Sequence, residues 1–389
     1  MNVKKKHNLV IYKNDKPKYN KKRIVIASIC ILIVAVALGR SVDKFSPSNV
    51  IDTLSGWMCS IGFGNGYPTP IIGSCVKENN FSLMNDNISF VSDSSFVILT
   101  DSAKIITNRQ HSFGNPVLKT GGNRAIIYNL GGRDFRIDSL SNLIYKSSLD
   151  QNIVAGAISK AGTYAVITES KKYLSELIVF SSNNEEIYRY YFANYYINNV
   201  EINEKGDFVA VSGLSSDNGV MKSIIYTFEL NSDQPKDFFE FENNMIFSLH
   251  FIGGRNILSI GDNMMSYLKG SKRKDYNYDS KRLITFDIDK KEGVALVFSE
   301  DEDLINCQIV VLNKEGTVKS EISTDSKIKS VAYKYNKIMT LEGDKIKVYS
   351  LSGKLKKQDE ARMDARKVKI TAGNRAYILG VSEIRKVRI

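Results

Sequence analysis

The chain has 389 residues, with 54 Lys and Arg against 42 Asp and Glu, and a formal net charge of +12 at pH 7. Such a basic balance is typical of proteins that bind nucleic acid. Nine of the basic residues nevertheless lie within the first 23 positions, where Asp15 is the single acidic residue, so this tail carries +8 of the +12. The tail therefore explains the excess, and no nucleic-acid partner is predicted.

An uncharged run, Ile24 to Gly39, follows the tail. Sixteen residues at helical rise span about 24 Å, slightly less than a bilayer core, and the flanking Arg23 and Arg40 can snorkel to make up the difference. We predict a basic cytoplasmic tail at 1–23, a transmembrane helix at 24–39 and the remaining chain outside the cytoplasmic membrane. The alternative is a cleaved signal peptide, because residues 35–37 (Ala-Val-Ala) resemble a cleavage site.

Residues 40–69 are predicted to form a juxtamembrane helix and a glycine-rich linker. Ser48 is a suitable N-cap for this helix. One face of the helix then carries Val50, Ile51, Leu54, Trp57 and Met58. This face either lies in the membrane interface or packs on the outer domain. Gly62, Gly64 and Gly66 have no strand before them and no helix after them, so they indicate a flexible linker and not a dinucleotide-binding loop.

From residue 70 onward the chain consists of short runs rich in Val, Ile, Tyr and Phe, separated by Gly, Asn, Asp and Ser. This spacing of turns is typical of an all-β protein. A unit of four such runs recurs and is clearest at residues 154–192, 200–242, 283–323 and 330–360. Four strands in each unit of about 40 residues are the sequence signature of a propeller blade.

The repeat predicts the number of blades. Its units lie near residues 80–111, 112–149, 150–193, 194–242, 243–279, 280–323 and 324–361. A last unit, 362–389, has only three runs, and a propeller must close its ring or leave an exposed edge. The run Pro70–Lys77 precedes the first unit and is available as the missing outer strand. We therefore predict a β-propeller of eight four-stranded blades at residues 70–389, with seven blades as the alternative.

Three segments carry a resemblance to a known family. They are RQHSFGNPVLKTGGNRAIIYNLGG (109–132), KKYLSELIVF (171–180) and YYINNVEINEKGDFVAVSG (195–213). With most of the chain, they resemble a bacterial family of unknown function that consists of single-pass, membrane-anchored propellers from Gram-positive anaerobes. The resemblance implies the propeller and the membrane setting. It implies no activity and no site residues.

Strand order gives the predicted ring two faces. The turns between the first and second strands, and between the third and fourth strands, share one face, here called the bottom. If the N-terminal run completes the last blade, the chain enters the ring at the bottom, which is then predicted to face the membrane. Several bottom turns carry lysines, such as Lys160 and Lys205, which lie either near anionic lipid or at simple solvated hairpin tips.

The opposite face, here called the top, carries the turns between second and third strands and the connections between blades. Three of its turns are long, at residues 170–176, 214–223 and 299–306, and repeat proteins tend to bind partners on the face that carries insertions. The candidate ligand- or partner-binding residues are Arg109, His111, Asn115, Tyr195 and Tyr196. Near the ring axis they suit a polar ligand. The alternative is that they hydrogen-bond neighbouring blades.

The sequence contains no HExxH, GxSxG or Walker motif and no paired-cysteine zinc pattern. The four cysteines are predicted to be free thiols, with a Cys59–Cys75 bridge as the alternative. His250 lies in a strand and is predicted to be a core or interblade residue. The acidic run Glu300–Asp303 matches no calcium-loop spacing and is predicted to be a solvated turn. Neither a metal nor a cofactor is predicted.

These features together predict a membrane-anchored, extracytoplasmic binding or scaffold module without catalytic activity. Its predicted partners are the cytoplasmic membrane and an envelope protein that docks on the top face. Two alternatives stay open at this point. One is an enzyme that acts on envelope glycans or peptides through carboxylates at the centre of the ring, and the other is a subunit of a transmembrane sensor.

Overall fold

A computed structural model of the protein describes residues 55–56, 58–217 and 219–389. The predicted cytoplasmic tail (1–23), the predicted transmembrane helix (24–39) and the first part of the predicted juxtamembrane helix (48–54) lie outside the described residues. Residues 55–56 and 58–60 are helical. Within the described ranges, no helix combines the length and the apolar character needed to cross a bilayer.

The rest of the described secondary structure consists of 32 strands in eight four-stranded antiparallel sheets. The first strand, β1 (Thr69–Pro70), belongs to the last sheet. Blade 1 consists of β2 (Val76–Met84), β3 (Asn87–Ser92), β4 (Ser95–Leu99) and β5 (Ile105–Gln110), and blade 2 of β6 (Pro116–Gly121), β7 (Arg124–Asn129), β8 (Asp134–Ser139) and β9 (Leu143–Ser148). Blade 3 consists of β10 (Ile153–Ile158), β11 (Tyr164–Thr168), β12 (Ser175–Phe180) and β13 (Glu186–Phe192), and blade 4 of β14 (Tyr196–Ile202), β15 (Phe208–Asp217), β16 (Val220–Glu229) and β17 (Asp237–Glu242).

Blade 5 consists of β18 (Ile246–Phe251), β19 (Ile257–Gly261), β20 (Met264–Lys269) and β21 (Lys272–Asn277), and blade 6 of β22 (Arg282–Asp289), β23 (Gly293–Ser299), β24 (Cys307–Asn313) and β25 (Val318–Thr324). Blade 7 consists of β26 (Ile328–Lys334), β27 (Lys337–Glu342), β28 (Lys345–Ser350) and β29 (Leu355–Glu360). Blade 8 consists of β30 (Lys367–Thr371), β31 (Arg375–Leu379) and β32 (Glu383–Arg388) together with β1. The all-β propeller of eight four-stranded blades is thus confirmed.

The hydrophobic core lies between the blades. Eight clusters of buried apolar side chains are present, and each joins one blade to the next around the ring. The cluster that contains Phe90 and Tyr377 joins blade 1 to blade 8 and so closes the circle. Middle strands such as β11 are buried along their whole length, which explains their continuous apolar runs. Outer strands such as β17 alternate buried and exposed residues, as expected for a strand with one solvated side.

The closing strand is shorter than predicted. Only Thr69 and Pro70 pair with β32, opposite Ile384 and Glu383, and the predicted closing run Pro70–Lys77 is therefore wrong in its C-terminal bound. The chain turns away at residues 71–75 to reach blade 1. Gly73 makes this turn with a φ of +101°, and a Cβ there would lie 2.2 Å from Ser92 Oγ.

The segment before β1, residues 55–56 and 58–66, lies along the bottom face and is here called the strap. Lys104 Nζ donates to the Cys59 carbonyl at 2.7 Å, and the Gly64 N–H donates to Ser102 Oγ at 3.0 Å. Both partners belong to the turn between the third and fourth strands of blade 1. A Cβ on Gly64 would lie 2.1 Å from Lys104 N. Gly64 is therefore packed closely against the ring, whereas a Cβ on Gly66 would have no neighbour within 4 Å, and the flexible linker stays a prediction.

The first strand of each blade lies innermost and lines a central channel. First strands of neighbouring blades contact one another, for example β2 with β6 and β22 with β26. Side chains on these strands also bind the next blade: Asn80 Nδ2 donates to the Pro116 carbonyl at 2.8 Å, and Asp287 Oδ2 accepts the Tyr333 N–H at 2.9 Å. The inner ring therefore fixes the relative positions of the blades and of the groups that face the channel.

Candidate functional site

A long β-ribbon rises from the top of blade 4. Its two strands, β15 and β16, have ten residues each, and their pairing continues from Phe208–Glu229 to Asp217–Val220. The inner strand β14 begins at the pair Tyr196–Leu214, so the ribbon extends beyond the rest of its blade. The predicted long turn at 214–223 is therefore wrong, because the strand pairing continues to Asp217 and Val220.

Four exposed apolar side chains, Leu130, Ile305, Met363 and Val381, lie on the top of blades 2, 6, 7 and 8, and a larger set of seven lies on the top of blades 3, 4 and 5. This set, here called the top patch, consists of Tyr173, Tyr191, Tyr196, Val220, Met221, Met245 and Phe247. The rings of Tyr173 and Tyr191 pack together with centroids 5.0 Å apart, and Tyr196 is 63% exposed. Met221 lies on the ribbon and is 50% exposed. Such a concentration of exposed apolar residues marks a surface suited to binding.

Charged side chains border the top patch. Next to Met221, Lys222 Nζ lies 3.2 Å from the Glu240 carboxylate. The turn that carries Tyr173 also carries the exposed Lys171 and Lys172. An aromatic and Met-containing centre with a polar border is the usual composition of a protein–protein interface.

Of the predicted site residues, Arg109 lies far from the ring axis. It is on β5, the outermost strand of blade 1. Its Nη1 donates to Asp138 Oδ1 at 2.8 Å, and its Nη2 donates to the Ser141 carbonyl. Arg136 also binds Asp138, with Nε 2.5 Å from Oδ2. Arg109 thus joins blades 1 and 2, which was the alternative interpretation, and its role toward a ligand stays a prediction.

His111 and Asn115 lie in the connection between blades 1 and 2. His111 Nδ1 accepts the Phe113 N–H at 3.2 Å, and Nε2 lies 3.2 Å from the Ser92 carbonyl. Burial is the main cause that lowers the pKa of His111. Asn115 Oδ1 accepts from Lys77 Nζ at 2.5 Å. Both side chains are engaged within the ring.

Tyr195 and Tyr196 lie at the start of blade 4. The Tyr195 ring packs near Tyr226 and Phe238, with centroids 5.9 and 6.3 Å away. Tyr196 instead belongs to the top patch. The five predicted residues are thus distributed over two separate parts of the ring and do not form one pocket.

Two ion pairs in the channel join blades that are not neighbours. Lys369 of blade 8 binds Asp287 of blade 6 at 2.6 Å, and Lys290 of blade 6 lies 3.3 Å from Glu201 of blade 4. Retaining and inverting glycosidases need two carboxyl groups that face the substrate as acid and base or nucleophile. Here both of these carboxylates are paired with lysines, and the alternative of a central carboxylate enzyme stays a prediction.

His250 also faces the channel. The sequence predicted a core or interblade residue and did not predict that His250 lies near the channel lysines. Its Nε2 lies 2.7 Å from Ser248 Oγ. Burial, followed by the charges of Lys290, Lys119 and Lys369, lowers the pKa of His250 to about 3. The imidazole is therefore neutral near pH 7, in a channel whose potential is positive.

The remaining predicted features are the cysteines and the acidic run. Cys59, Cys75 and Cys307 are free thiols, so the alternative of a Cys59–Cys75 bridge is wrong. The run 300–303 connects β23 to β24 on the top face. Among residues 55–56, 58–217 and 219–389, no three His, Cys, Asp or Glu side chains come together as a metal site.

The sequence interpretation missed most of the top patch and the inner-strand lysines of the channel. Tyr173, Met221 and Phe247 stand singly between polar residues or within a strand run, so local pattern does not mark them as exposed. The channel lysines Lys119 and Lys369 lie in the first run of their units. That position was an available signal, because first runs line the channel of a propeller.

Comparisons with known proteins agree with this architecture. A solved structure described as the C-terminal WD40 domain of Sif2 is similar with a TM-score of 0.58 and 14% identity, over 82% of this chain and 99% of that chain. A structure described as the eukaryotic initiation factor has a TM-score of 0.53 and 10% identity, over 84% and 89%. Identities this low show the fold alone. No curated protein matches the chain. A family model described as a family of unknown function, DUF5711, matches residues 72–389.

Proposed function

This chain belongs to the DUF5711 family of unknown function, and we propose that it is a membrane-anchored, extracytoplasmic binding or scaffold module for an envelope protein. The observation that carries the proposal is the top patch, where seven large apolar side chains are exposed on three successive blades. The partner docks on this patch. The propeller serves as a rigid platform for it.

The chemistry of the top patch supports a protein partner. Aromatic residues and Met are enriched in the cores of protein interfaces, and Tyr is frequent among the residues that dominate binding energy. Three of the seven side chains are Tyr and two are Met. The blades beneath them are held by buried interblade clusters, so binding requires little ordering of the backbone.

The position of the strap is an argument for the proposed membrane on the bottom side of the ring, opposite the top patch. The strap holds the chain at the bottom face from Ser55 onward, where Ser141 Oγ lies 3.1 Å from Ser55 Oγ. Fifteen residues separate Ser55 from the apolar run at 24–39, and a chain of that length reaches at most about 50 Å. Because Ser55 is held at the bottom face, we assign this face to the membrane side and leave the top patch to the partner.

Apolar side chains of the strap fit the same orientation. Met58, Ile61 and Phe63 are exposed, and Phe63 is 96% exposed. Lysines such as Lys160 and Lys205 lie on the neighbouring bottom turns. Aromatic residues and basic side chains are both favoured at the surface of an anionic bilayer, where each nearby lysine contributes about 1 kcal/mol.

Crosslinking in intact cells, followed by affinity capture of the full-length protein, tests the partner. The triple variant Tyr173→Ser, Tyr196→Ser, Met221→Ser is expected to retain at least tenfold less of the captured envelope protein, because truncation of central interface residues often costs more than about 1 kcal/mol each. The matched control is Leu143→Ser, Val318→Ser, Leu355→Ser, which removes three exposed apolar side chains at the starts of outer strands on the bottom.

The control is expected to capture the same protein in the amount that the wild type captures. The proposal fails if the wild type retains no specific envelope protein, or if the bottom variant loses the partner while the top variant keeps it. Equal amounts of all three proteins in the membrane fraction show that the comparison measures binding and not expression.

A further inference from the structure

The outer strand of blade 8 is shorter than the outer strands of the other blades. In blades 1 to 7 the outer strand pairs with the third strand over five or six residues. In blade 8, β1 pairs with only two residues of the third strand β32, Glu383 and Ile384. The lower half of β32, residues 385–388, therefore has no strand partner on its outer side and forms an open sheet edge on the bottom of the ring.

Hydrogen bonds at the end of β32 show which backbone groups of this edge point outward. The Ile389 N–H donates to the Asn374 carbonyl at 2.8 Å, so residues 385, 387 and 389 direct their backbone groups toward β31. Lys386 and Arg388 therefore direct theirs outward. The Arg388 carbonyl accepts from Lys357 Nζ of blade 7. Within the described ranges, the N–H groups of Lys386 and Arg388 and the Lys386 carbonyl have no hydrogen-bond partner in the protein.

A cavity of about 390 Å³ lies at this edge and is lined by Gly373, Arg375, Lys386, Val387 and Arg388. Arg375 of β31 lies directly opposite Arg388, and Lys386 is on the same face of the sheet, which is the face toward blade 1. Val387 lies on the other face, toward blade 7. Because residues of both faces line the cavity, it lies where the lower half of an outer strand would run.

The cavity is positively charged. The Asp101 carboxylate of blade 1 binds Arg375, and the Asp101 carbonyl accepts from Lys386 Nζ at 2.6 Å. Within the described part of the chain, no carboxylate forms an ion pair with Lys386 or Arg388. Like charges directly opposite each other destabilise a sheet, as Arg375 and Arg388 do here. An acidic ligand in the cavity offsets this repulsion.

We propose that this edge binds an extended acidic segment of a partner protein, which joins blade 8 as the lower half of its outer strand. The segment runs antiparallel to β32, as β1 does, and pairs with the free backbone groups of Lys386 and Arg388. Its residues opposite Lys386 and Arg388 are Asp or Glu, and the residue between them is apolar and lies beside Val387. The recognised sequence therefore alternates acidic and apolar residues.

The free backbone groups favour a peptide over a phosphate or a lipid headgroup. A strand supplies both acceptors for the two N–H groups and a donor for the Lys386 carbonyl, whereas a phosphate dianion supplies acceptors only. Charged side chains on an open edge oppose pairing with uncharged strands, so the same cations select an acidic one. This edge is on the bottom of blade 8 and is separate from the top patch, so the inference stands independently of the partner proposed there.

Fluorescence anisotropy of the labelled peptide Glu-Val-Glu-Val-Glu-Val, titrated with the full-length protein in detergent at low salt, tests the edge. The wild type is expected to bind the peptide saturably. The double variant Lys386→Gln, Arg388→Gln is expected to bind it about tenfold more weakly, because two charge contacts are lost. The control is Lys269→Gln, Lys272→Gln, which removes the same charge from two exposed lysines at the bottom of blade 5, where the outer strand is complete. The control is expected to bind as the wild type does.

Backbone pairing is tested on the wild type alone, so this result does not depend on the folding of a variant. In the proposed antiparallel pairing, the N–H groups of the Glu residues point toward β32 and those of the Val residues point away. N-methylation of the Glu residues is therefore expected to abolish binding, and N-methylation of the Val residues is expected to leave it unchanged.

Three results overturn the proposal. They are the absence of saturable binding to the wild type, equal binding by the two double variants, and undiminished binding of the peptide that is methylated at Glu. The last result means that the site recognises charge without strand pairing. Displacement of that methylated peptide by dihexanoyl phosphatidylglycerol then assigns the site to a lipid headgroup.

Discussion

Asp138→Ala is expected to lower the free energy of unfolding by about 3–5 kcal/mol, which is the usual effect of removing one partner from a buried ion pair. Asp138 is completely buried and binds both Arg109 and Arg136. Without it, the two guanidinium groups remain in the interface between blades 1 and 2 with no carboxylate. Urea unfolding of the wild type and the variant, followed by circular dichroism, measures the difference.

The matched control is Asp207→Ala. Asp207 also pairs with an arginine, Arg255, at 3.2 Å, but both side chains are nearly half exposed. Exposed pairs contribute about 0–1 kcal/mol, so this variant is expected to unfold close to the wild type. If Asp138→Ala destabilises the protein no more than Asp207→Ala does, the cluster around Asp138 does not hold the two blades together.

The stability of the ring is also expected to depend on pH through His250. Its pKa is about 3 in the folded protein and about 6.5 when unfolded. Below pH 6.5 the unfolded chain therefore takes up a proton that the folded ring does not. The contribution of the neutral His250 to the free energy of unfolding is fully present above pH 6.5 and is lost as the pH falls toward 3. It decreases by about 1.4 kcal/mol for each pH unit in that window.

His250→Gln isolates this contribution, because Gln keeps a polar group beside Ser248 and does not titrate. The free energies of unfolding of wild type and variant, measured at pH 7, 6 and 5 in phosphate-free buffer, are compared at each pH. The advantage of the wild type is expected to shrink by about 1.4 kcal/mol between pH 6 and pH 5. A constant difference over the three pH values contradicts a neutral His250 in a positive channel.

The sequence predicts the blades closely because their physical cause is local. Each blade has middle strands buried on both faces, and these appear as continuous apolar runs between Gly, Asn and Ser turns. The predicted unit 150–193 contains strands from Ile153 to Phe192. The ribbon escaped prediction because most of the residues at 214–223 are polar, and Val220 and Met221 in it are exposed. The two strands continue there through backbone pairing. The polarity pattern of the side chains does not predict such pairing.

The candidate sites were less predictable because they depend on which residues of different blades face each other. Arg109 and Asp138 are 29 positions apart, and no local pattern joins them. The contact of Lys369 with Asp287 spans 82 positions and passes over a whole blade. A repeat pattern predicts where a residue lies within its own blade. To predict these contacts, the number of blades and the width of the channel must also be known.

The envelope partner proposed for the top patch requires that the ring lie outside the cytoplasmic membrane, and Cys75 allows a direct measurement of this placement. Cys75 is an exposed free thiol on the connection from β1 to β2, whereas Cys307 is buried. The expected result is that a membrane-impermeant maleimide labels the protein in intact cells, and that Cys75→Ser removes most of the label. Labelling of Cys75 only after the membrane has been permeabilised would contradict the account.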